Sequence, residues 1–219
     1  HTLSLPLFGV GFGLPGPFAP STGKPSNTPI MPGWDRCDVP RYVTQSFLVP
    51  VLVDNDVNLL ALGEHETSWQ GQSDLLFIKV STGIGAGIIS GGRLQRGAQG
   101  SAGDLGHVRV PFTRQTPSHG DEDADLEALA SGPAIARWIA NQGVPAATSE
   151  DVLRLARAGN SVAIAAIRQA GRELGEVLAT CVNLLNPSVV VIGGSIARAG
   201  EHLIAGVREV VYGESTPLA

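Results

Sequence analysis

Short apolar runs dominate the first half of the chain, and apolar residues at helical spacing dominate the second half. Short runs bounded by glycine, proline or polar residues predict strands, whereas apolar residues that recur every three or four positions predict helices. The runs that predict strands lie at residues 8–12, 47–53, 75–80, 87–90, 108–110 and 188–192. The segments that predict helices lie at residues 57–65, 126–140, from 149 onward, 161–185 and from 195 to about 211.

Turn and cap residues separate these elements. The Asp-Asn-Asp triplet at 54–56 predicts a helix N-cap, the glycine pair at 91–92 a two-residue hairpin, and Asn-Pro at 186–187 the end of the longest helix. Residues 19–38 and 111–123 are rich in polar residues, glycine or proline, which predicts loops. Strands at the start and a helix–strand–glycine–helix unit at the end predict an α/β fold.

Composition and charge limit the classes of function that the chain is expected to have. The 219 residues carry a formal net charge of −5, which argues against nucleic-acid binding by this segment itself, because phosphate binding needs a positive surface. The length allows one domain or two small ones. The two cysteines, Cys37 and Cys181, lie far apart and predict free thiols in a reducing compartment. No signal peptide, membrane-spanning segment or membrane partner is expected, so the chain is predicted to be cytoplasmic.

The first candidate for chemistry is the acidic junction between a predicted strand and a predicted helix. The N-terminus of a helix favours a charged carboxylate. Such an acid could accept the proton of a sugar hydroxyl that attacks a phosphoryl group. Spacing alone favours the simpler alternative, in which Asp54, Asn55 or Asp56 only caps the helix.

Three glycine-rich segments are the other candidates. Residues 81–87 could cradle phosphate through backbone N–H groups, or could be only a tight turn. Residues 100–107 end in Asp104 and His107, which could bind hydroxyl groups or could bond only within the protein. Residues 189–195 place two glycines between a strand and a helix. Open α/β sheets bind ligands at such a point, although an ordinary connection has the same pattern.

Together and in this order, these segments resemble one family, the ROK proteins, which are bacterial sugar kinases and sugar-responsive repressors. The most specific matches are residues 54–64 (DNDVNLLALGE), 82–87 and 97–107, and the resemblance covers nearly the whole chain. It implies an α/β fold of the actin-like ATPase (ribonuclease H-like) type with two lobes. Residues 1–70 would form part of an incomplete N-terminal lobe, and residues 71–219 would form a helix-rich C-terminal lobe.

The resemblance also implies roles for particular residues. Asp56 matches the family's catalytic base, and Asn55 matches the neighbouring sugar ligand. Further sugar-binding positions are matched by Asp104, His107 and Glu127, of which His107 matches a histidine that binds sugar or zinc. Positions on the phosphate and nucleotide side are matched by Thr82, Gly83, Gly193 and Gly194.

Three departures from the family pattern favour its repressor branch or leave the architecture incomplete. Asp104 stands where the sugar kinases usually have glutamate, and the DNDVN sequence at 54–58 is also closer to the repressors. No cysteine occurs between residues 110 and 125, where the family has its zinc ligands, so zinc is not expected. The family's first phosphate loop would precede residue 8, so the chain is expected to be a fragment.

The sequence therefore predicts the sugar-binding effector module of a ROK-type transcriptional regulator. Its expected partners are a small-molecule sugar, a second copy in a homodimer, and DNA through a domain that this chain does not contain. The alternative is an ATP-dependent hexose or amino-sugar kinase, with ATP and Mg as cofactors and Asp56 as the base. A structural remnant with neither activity is the third hypothesis.

Overall fold

The structure is a computed structural model that describes residues 6–16, 18–19, 24–25, 33–34, 37–110 and 125–215. In it, strands and helices alternate. The strands are β1 (Val10–Leu14), β2 (Phe18–Ala19), β3 (Lys24–Pro25), β4 (Val51–Asn55), β5 (Leu75–Val80), β6 (Ile84–Ser90), β7 (Arg93–Gln95) and β8 (Val189–Gly193). The helices are α1 (Val39–Phe47), α2 (Asp56–Thr67), α3 (Leu126–Ala130), α4 (Gly132–Asn141), α5 (Ser149–Arg157), α6 (Ser161–Leu185) and α7 (Glu201–Glu214).

A four-stranded sheet in the order β7-β6-β5-β8 lies at the centre of the described residues. β8 runs parallel to β5, whereas β6 and β7 are antiparallel to their neighbours. Successive side chains of β5 point to opposite faces of the sheet, so its buried side chains pack into two different layers. Leu76 and Ile78 pack into the cluster formed with α3 to α7, and Leu75 and Phe77 pack against α2. Both faces are therefore covered, which explains why every residue of β5 except Lys79 is apolar, without an alternation of apolar and polar residues.

The long helix α6 belongs to the layer that covers one face of the sheet. It spans 25 residues, begins at the N-cap Asn160 and ends at Asn186, which has left-handed φ of 45°. Its closest neighbour is α7. A Cβ on Gly171 would lie 2.3 Å from the carbonyl oxygen of Leu203, so only glycine allows the two helix backbones to approach this closely.

A second sheet pairs β1 with β4 in parallel, and α1 packs against it. The sequence pattern missed α1 and instead predicted a strand from residue 47. Phe47 ends the helix, and Leu48 has left-handed φ of 46°, so the strand begins only at Val51. The signal was present, because Asp38 caps α1 by accepting from the Arg41 N–H and a proline stands in the first turn.

Other sequence predictions shift by a few residues. The strand predicted at 8–12 lies at Val10–Leu14, and the hairpin at 91–92 is confirmed, with positive φ at both glycines. The helix predicted over 126–140 is two helices, because Ser131 ends α3 and caps α4. The strand predicted at 108–110 is a single bridge between Arg109 and Asp125, and the loop predicted at 111–123 lies outside the described residues.

Four further expectations concern the cysteines, the burial of β8, membrane-spanning helices and the lobe boundary. Cys37 and Cys181 are both free thiols, as predicted, and burial raises the pKa of Cys181. The apolar run in β8 is typical of a strand buried on both faces, but β8 is half-buried because it is an edge strand of the described sheet. Among the described residues, no helix combines the length and apolar character needed to cross a membrane. A lobe boundary near residue 70 stays a prediction, since α2 packs against both sheets.

Candidate functional site

The junction between β4 and α2 is held in place by Asn55. Its side-chain oxygen accepts from the backbone N–H of Val57 at 2.8 Å, so Asn55 is the N-cap of α2. Its amide nitrogen donates to the carbonyl oxygen of Gly16 at 2.9 Å, which ties the junction to the end of β1. Asn55 therefore caps α2, and this cap fixes the direction in which the next residue projects, while its sugar-binding role stays a prediction.

Asp54 is a structural acid. It is 7% exposed, and its Oδ2 accepts from Arg96 Nε at 2.9 Å and from Nη2 at 2.6 Å. Its Oδ1 accepts from Asn58 Nδ2 and from the Asn55 backbone N–H, both at 2.8 Å. A buried carboxylate needs this degree of pairing, because an unsatisfied buried charge is costly. The network joins the start of α2 to the segment that follows β7.

Asp56, the first residue of α2, has a different environment. Its side chain is 28% exposed, and its Oδ2 lies 2.5 Å from Nζ of Lys79 on β5. The helix N-terminus favours the negative charge of the carboxylate, and so does the ammonium. Asp56 is thus a partly accessible acid at a helix N-terminus, beside the Lys79 ammonium.

The glycines after β5 have a packing role that the sequence did not reveal. A Cβ on Gly87 would lie 2.4 Å from Cβ of Ala61, and one on Gly85 would lie 3.3 Å from Val57 Cγ2. These two glycines therefore let α2 lie close to β6. The turn itself is short, with the Ser81 N–H donating to the Gly83 carbonyl oxygen at 3.0 Å. Thr82 at its tip is exposed.

The turn after β8 lies beside the turn after β5. The Ser81 and Ser195 hydroxyl oxygens are 3.0 Å apart. Gly193 and Gly194 are required by packing on β5. A Cβ on Gly193 would lie 2.6 Å from the Phe77 ring, and one on Gly194 would lie 2.4 Å from the Val80 carbonyl oxygen. The nucleotide role that the resemblance implies for these two glycines stays a prediction.

The loop that contains Asp104 lies against β6. The Ala86 N–H donates to the Gly103 carbonyl oxygen at 2.7 Å, and a Cβ on Gly103 would lie 2.0 Å from the Ala86 carbonyl oxygen. Gly103 also has φ of +90°, so both the close contact and the backbone conformation require glycine at this position. The exposed Asp104 follows it and precedes a single turn of 3₁₀-helix at Leu105–His107.

The start of α3 contacts this loop and β6 through Asp125 and Glu127. His107 Nδ1 lies 3.3 Å from Asp125 Oδ2, and this hydrogen bond is the main cause that raises the pKa of His107, opposed by partial burial and assisted by the charge of Asp104. Glu127 Oε2 accepts from the Ile84 N–H at 2.9 Å. Glu127 therefore has a structural bond to the start of β6 in addition to the sugar contact that the resemblance implies.

These elements enclose one cleft with a volume of about 540 Å³. Seven predicted site residues line it, whereas Gly193 and Gly194 do not. The seven are Asn55, Asp56, Thr82, Gly83, Asp104, His107 and Glu127. Lys79 also lines the cleft and was missed by the sequence analysis, although a single lysine in the otherwise apolar β5 was a visible signal. The volume and the polar groups suit a small polar ligand.

The described residues near His107 do not form a zinc site. Asp125 caps α3 by accepting from the Ala128 N–H at 2.8 Å, and its other oxygen pairs with His107. A structural zinc site needs four Cys, His or carboxylate ligands that converge. Within the described ranges, no group of three or more such side chains lies close enough to hold a metal. No chemistry is therefore assigned to zinc.

A protein-family model, that of the ROK family, matches residues 4–213 of the 219. The chain belongs to the ROK family. Its curated ROK relatives include both enzymes and repressors. A glucokinase from Halalkalibacterium halodurans is 32% identical over 228 residues, which cover 95% of this chain and 68% of the glucokinase. A xylose repressor from Caldicellulosiruptor bescii is 32% identical over 94% of this chain and 54% of its own length.

The solved ROK structures that resemble this chain likewise include both regulators and enzymes. A ROK transcriptional regulator, a homologue of the E. coli MLC protein, superposes with a TM-score of 0.84 at 27% identity, covering 96% of this chain and 56% of the regulator. A ROK glucokinase from Streptomyces griseus, solved with glucose and AMPPNP, gives 0.80 at 28% identity, covering 94% of this chain and 72% of the glucokinase. The fold is therefore the actin-like ATPase fold, as predicted. The chain spans about half the length of the repressors it matches.

Proposed function

We propose that this ROK chain is the sugar-binding effector module of a transcriptional regulator, with DNA bound by a segment outside this sequence. The observation that carries the proposal is the cleft, where Asn55, Asp56, Asp104, His107 and Glu127 come together from separate parts of the chain. Carboxylates accept hydrogen bonds from sugar hydroxyls, and amide or imidazole N–H groups donate to them. The net charge of −5 suits a module that does not itself contact DNA.

The arrangement of the cleft supports a regulatory use of the sugar. Asp56 opens α2, whereas Asp104 lies on a loop and Glu127 lies on α3, so a ligand held by all three would link three elements. A ligand that prefers one relative position of these elements shifts the population toward it. In the proposed regulator, such a shift would reach the DNA-binding segment through the proposed homodimer. Light scattering of the protein with and without sugar would measure that dimer.

A sugar kinase is the second candidate. The observation that favours it is the presence of Asp56, Thr82 and Gly83 in the same cleft, together with the glucokinase relatives. In that case Asp56 would take the proton of the attacking hydroxyl. Thr82 and Gly83 would lie at the phosphate side, where ATP and Mg supply the phosphoryl group and its charge neutralisation. Against it stands Asp104, at a position where the sugar kinases of the family usually have glutamate.

One experiment separates the two candidates. The full-length protein is incubated with ATP, Mg²⁺ and glucose, xylose, N-acetylglucosamine or N-acetylmannosamine, and both the melting temperature and ADP release are measured. We expect at least one sugar to raise the melting temperature at millimolar concentration without sugar-dependent ADP release. Turnover that Asp56→Asn abolishes, and that the remote Glu201→Gln leaves unchanged, would establish the kinase instead. No stabilisation by any sugar would contradict both candidates.

A further inference from the structure

A lysine lies beside the candidate acid of the cleft. Lys79 is the charged residue of β5, whose other residues are apolar and buried. A lysine stem on such a strand commonly extends to water and leaves its ammonium hydrated. Here the side chain is only 24% exposed, and Nζ lies 2.5 Å from Oδ2 of Asp56. The strand thus directs a cation to a carboxylate 23 positions earlier in the chain.

The neighbours of Lys79 on the sheet make room for this contact. Lys79 pairs with Gly85 on β6 and with Gly193 on β8. Residues directly opposite in a sheet share a face, so both flanking positions on the α2 side of the sheet have no side chain. The stem can therefore run between them toward the start of α2. This arrangement gives Gly85 and Gly193 a role in the cleft without requiring either to touch a ligand.

We propose that Lys79 is a positioning residue that holds the Asp56 carboxylate as a fixed hydrogen-bond acceptor for a sugar hydroxyl. This inference rests on the proposed function, in which the cleft binds a sugar. The ion pair restricts the rotation of the Asp56 side chain and occupies Oδ2, so that Oδ1 serves the ligand. An acceptor that is ordered before binding loses less conformational entropy when the sugar arrives.

A double-mutant cycle on sugar affinity tests this positioning role. The probe is whichever of the four sugars named above stabilises the full-length wild type most, and calorimetry gives its Kd for wild type, Lys79→Met, Asp56→Asn and the double variant. We expect each single variant to weaken binding about tenfold, and the double variant to bind no more weakly than Asp56→Asn, because Lys79 acts through Asp56. Lys79→Arg, which keeps the charge, should restore most of the affinity. Arg93→Met on the exposed hairpin is the matched control for a lost positive charge.

Each other outcome overturns the inference. Losses that multiply in the double variant would mean that Lys79 touches the sugar itself. Unchanged affinity in Lys79→Met would mean that the ion pair has no part in binding, while the proposed function would stand. Sugar-dependent ADP release that Lys79→Met abolishes would make Lys79 part of a phosphoryl-transfer site. Should Lys79→Met fail to fold, Lys79→Gln replaces it in the cycle. A wild type that binds no sugar would remove the proposed function and this inference together.

Discussion

Asp54 and Asp56 stand two residues apart, yet they lie in two different regions of the molecule. The Asp54 side chain is buried, and an arginine, an asparagine side chain and a backbone N–H donate hydrogen bonds to its two oxygens. Asp56 lines the cleft, where a single lysine pairs with one of its oxygens. A buried acid whose hydrogen bonds are all made within the protein supports the fold, whereas a half-exposed acid in a cleft has capacity left for a ligand.

Removing Asp54 should have the largest effect on stability. Asp54→Ala leaves the Arg96 guanidinium and the Asn58 amide without their acceptor, and we expect a loss of about 3 kcal/mol in the free energy of unfolding. Denaturant titration would measure it. Because Arg96 and Asp54 form one network, the double variant with Arg96→Met should lose less than the sum of the two single losses. A loss for Asp54→Ala below about 1 kcal/mol would contradict the structural role.

The contact between α2 and β6 supports both acids, so it offers the next largest effect. Gly87→Ala puts a methyl group 2.4 Å from Cβ of Ala61, and we expect a loss of about 2 kcal/mol from overpacking. The displaced helix should also weaken sugar binding, since it begins with Asp56. Gly63→Ala is the matched control, because this exposed position on the same helix has open space and should gain stability. Equal stability of the two variants would show that α2 does not lie this close to β6.

In contrast to Asp54, replacing Asp56 should weaken sugar binding while leaving stability nearly unchanged. Asp56→Asn keeps the size of the side chain and removes one partly exposed ion pair, so the free energy of unfolding should change by less than about 1 kcal/mol. Sugar affinity should fall about tenfold or more, because the negative acceptor is lost. Chemical denaturation and calorimetry on the same samples would compare the two quantities. A large loss of stability together with unchanged affinity would reverse the assignment of the two acids.

Local signals explain which elements the sequence predicted. The bounds of β5 and α6 agree with the prediction because their apolar pattern and their caps lie within the segment. The break between α3 and α4 was missed, although Ser131 followed by glycine and proline is a typical cap sequence, because the apolar spacing continues through it. The depth of β8 could not be predicted, since it depends on whether another strand lies beside it.

The candidate site was predicted only in part, because some of its contacts join residues that are far apart in the sequence. The resemblance selected seven residues that the fold brings to one cleft. Sequence spacing could not separate Asp54 from Asp56, because the difference between them comes from partners far along the chain. Arg96 lies 42 positions after Asp54, and Lys79 lies 23 positions after Asp56. Such contacts depend on the packing of β5 and α2, which no local pattern encodes.

The protonation of His107, which also lines the cleft, has the smallest expected effect on stability among these predictions. The hydrogen bond to Asp125 raises the pKa of His107, so its contribution to stability is fully present below the unfolded pKa of about 6.5 and is lost as pH rises through the higher folded value. His107 is 64% exposed, and solvent screening keeps this contribution below about 0.5 kcal/mol. NMR titration of the imidazole is the sharper measurement.

Asp125→Asn tests this pair without disturbing the helix. Asparagine can still accept from the Ala128 N–H and cap α3, but it lacks the charge that stabilises a protonated His107. We expect the pKa of His107 to fall toward its ordinary value and the pH dependence of stability near neutrality to shrink. Unlike the Asp56 pair, this pair lies at the exposed rim, so sugar affinity should change less than it does in Asp56→Asn. An unaltered His107 titration would mean that Asp125 serves only as a helix cap.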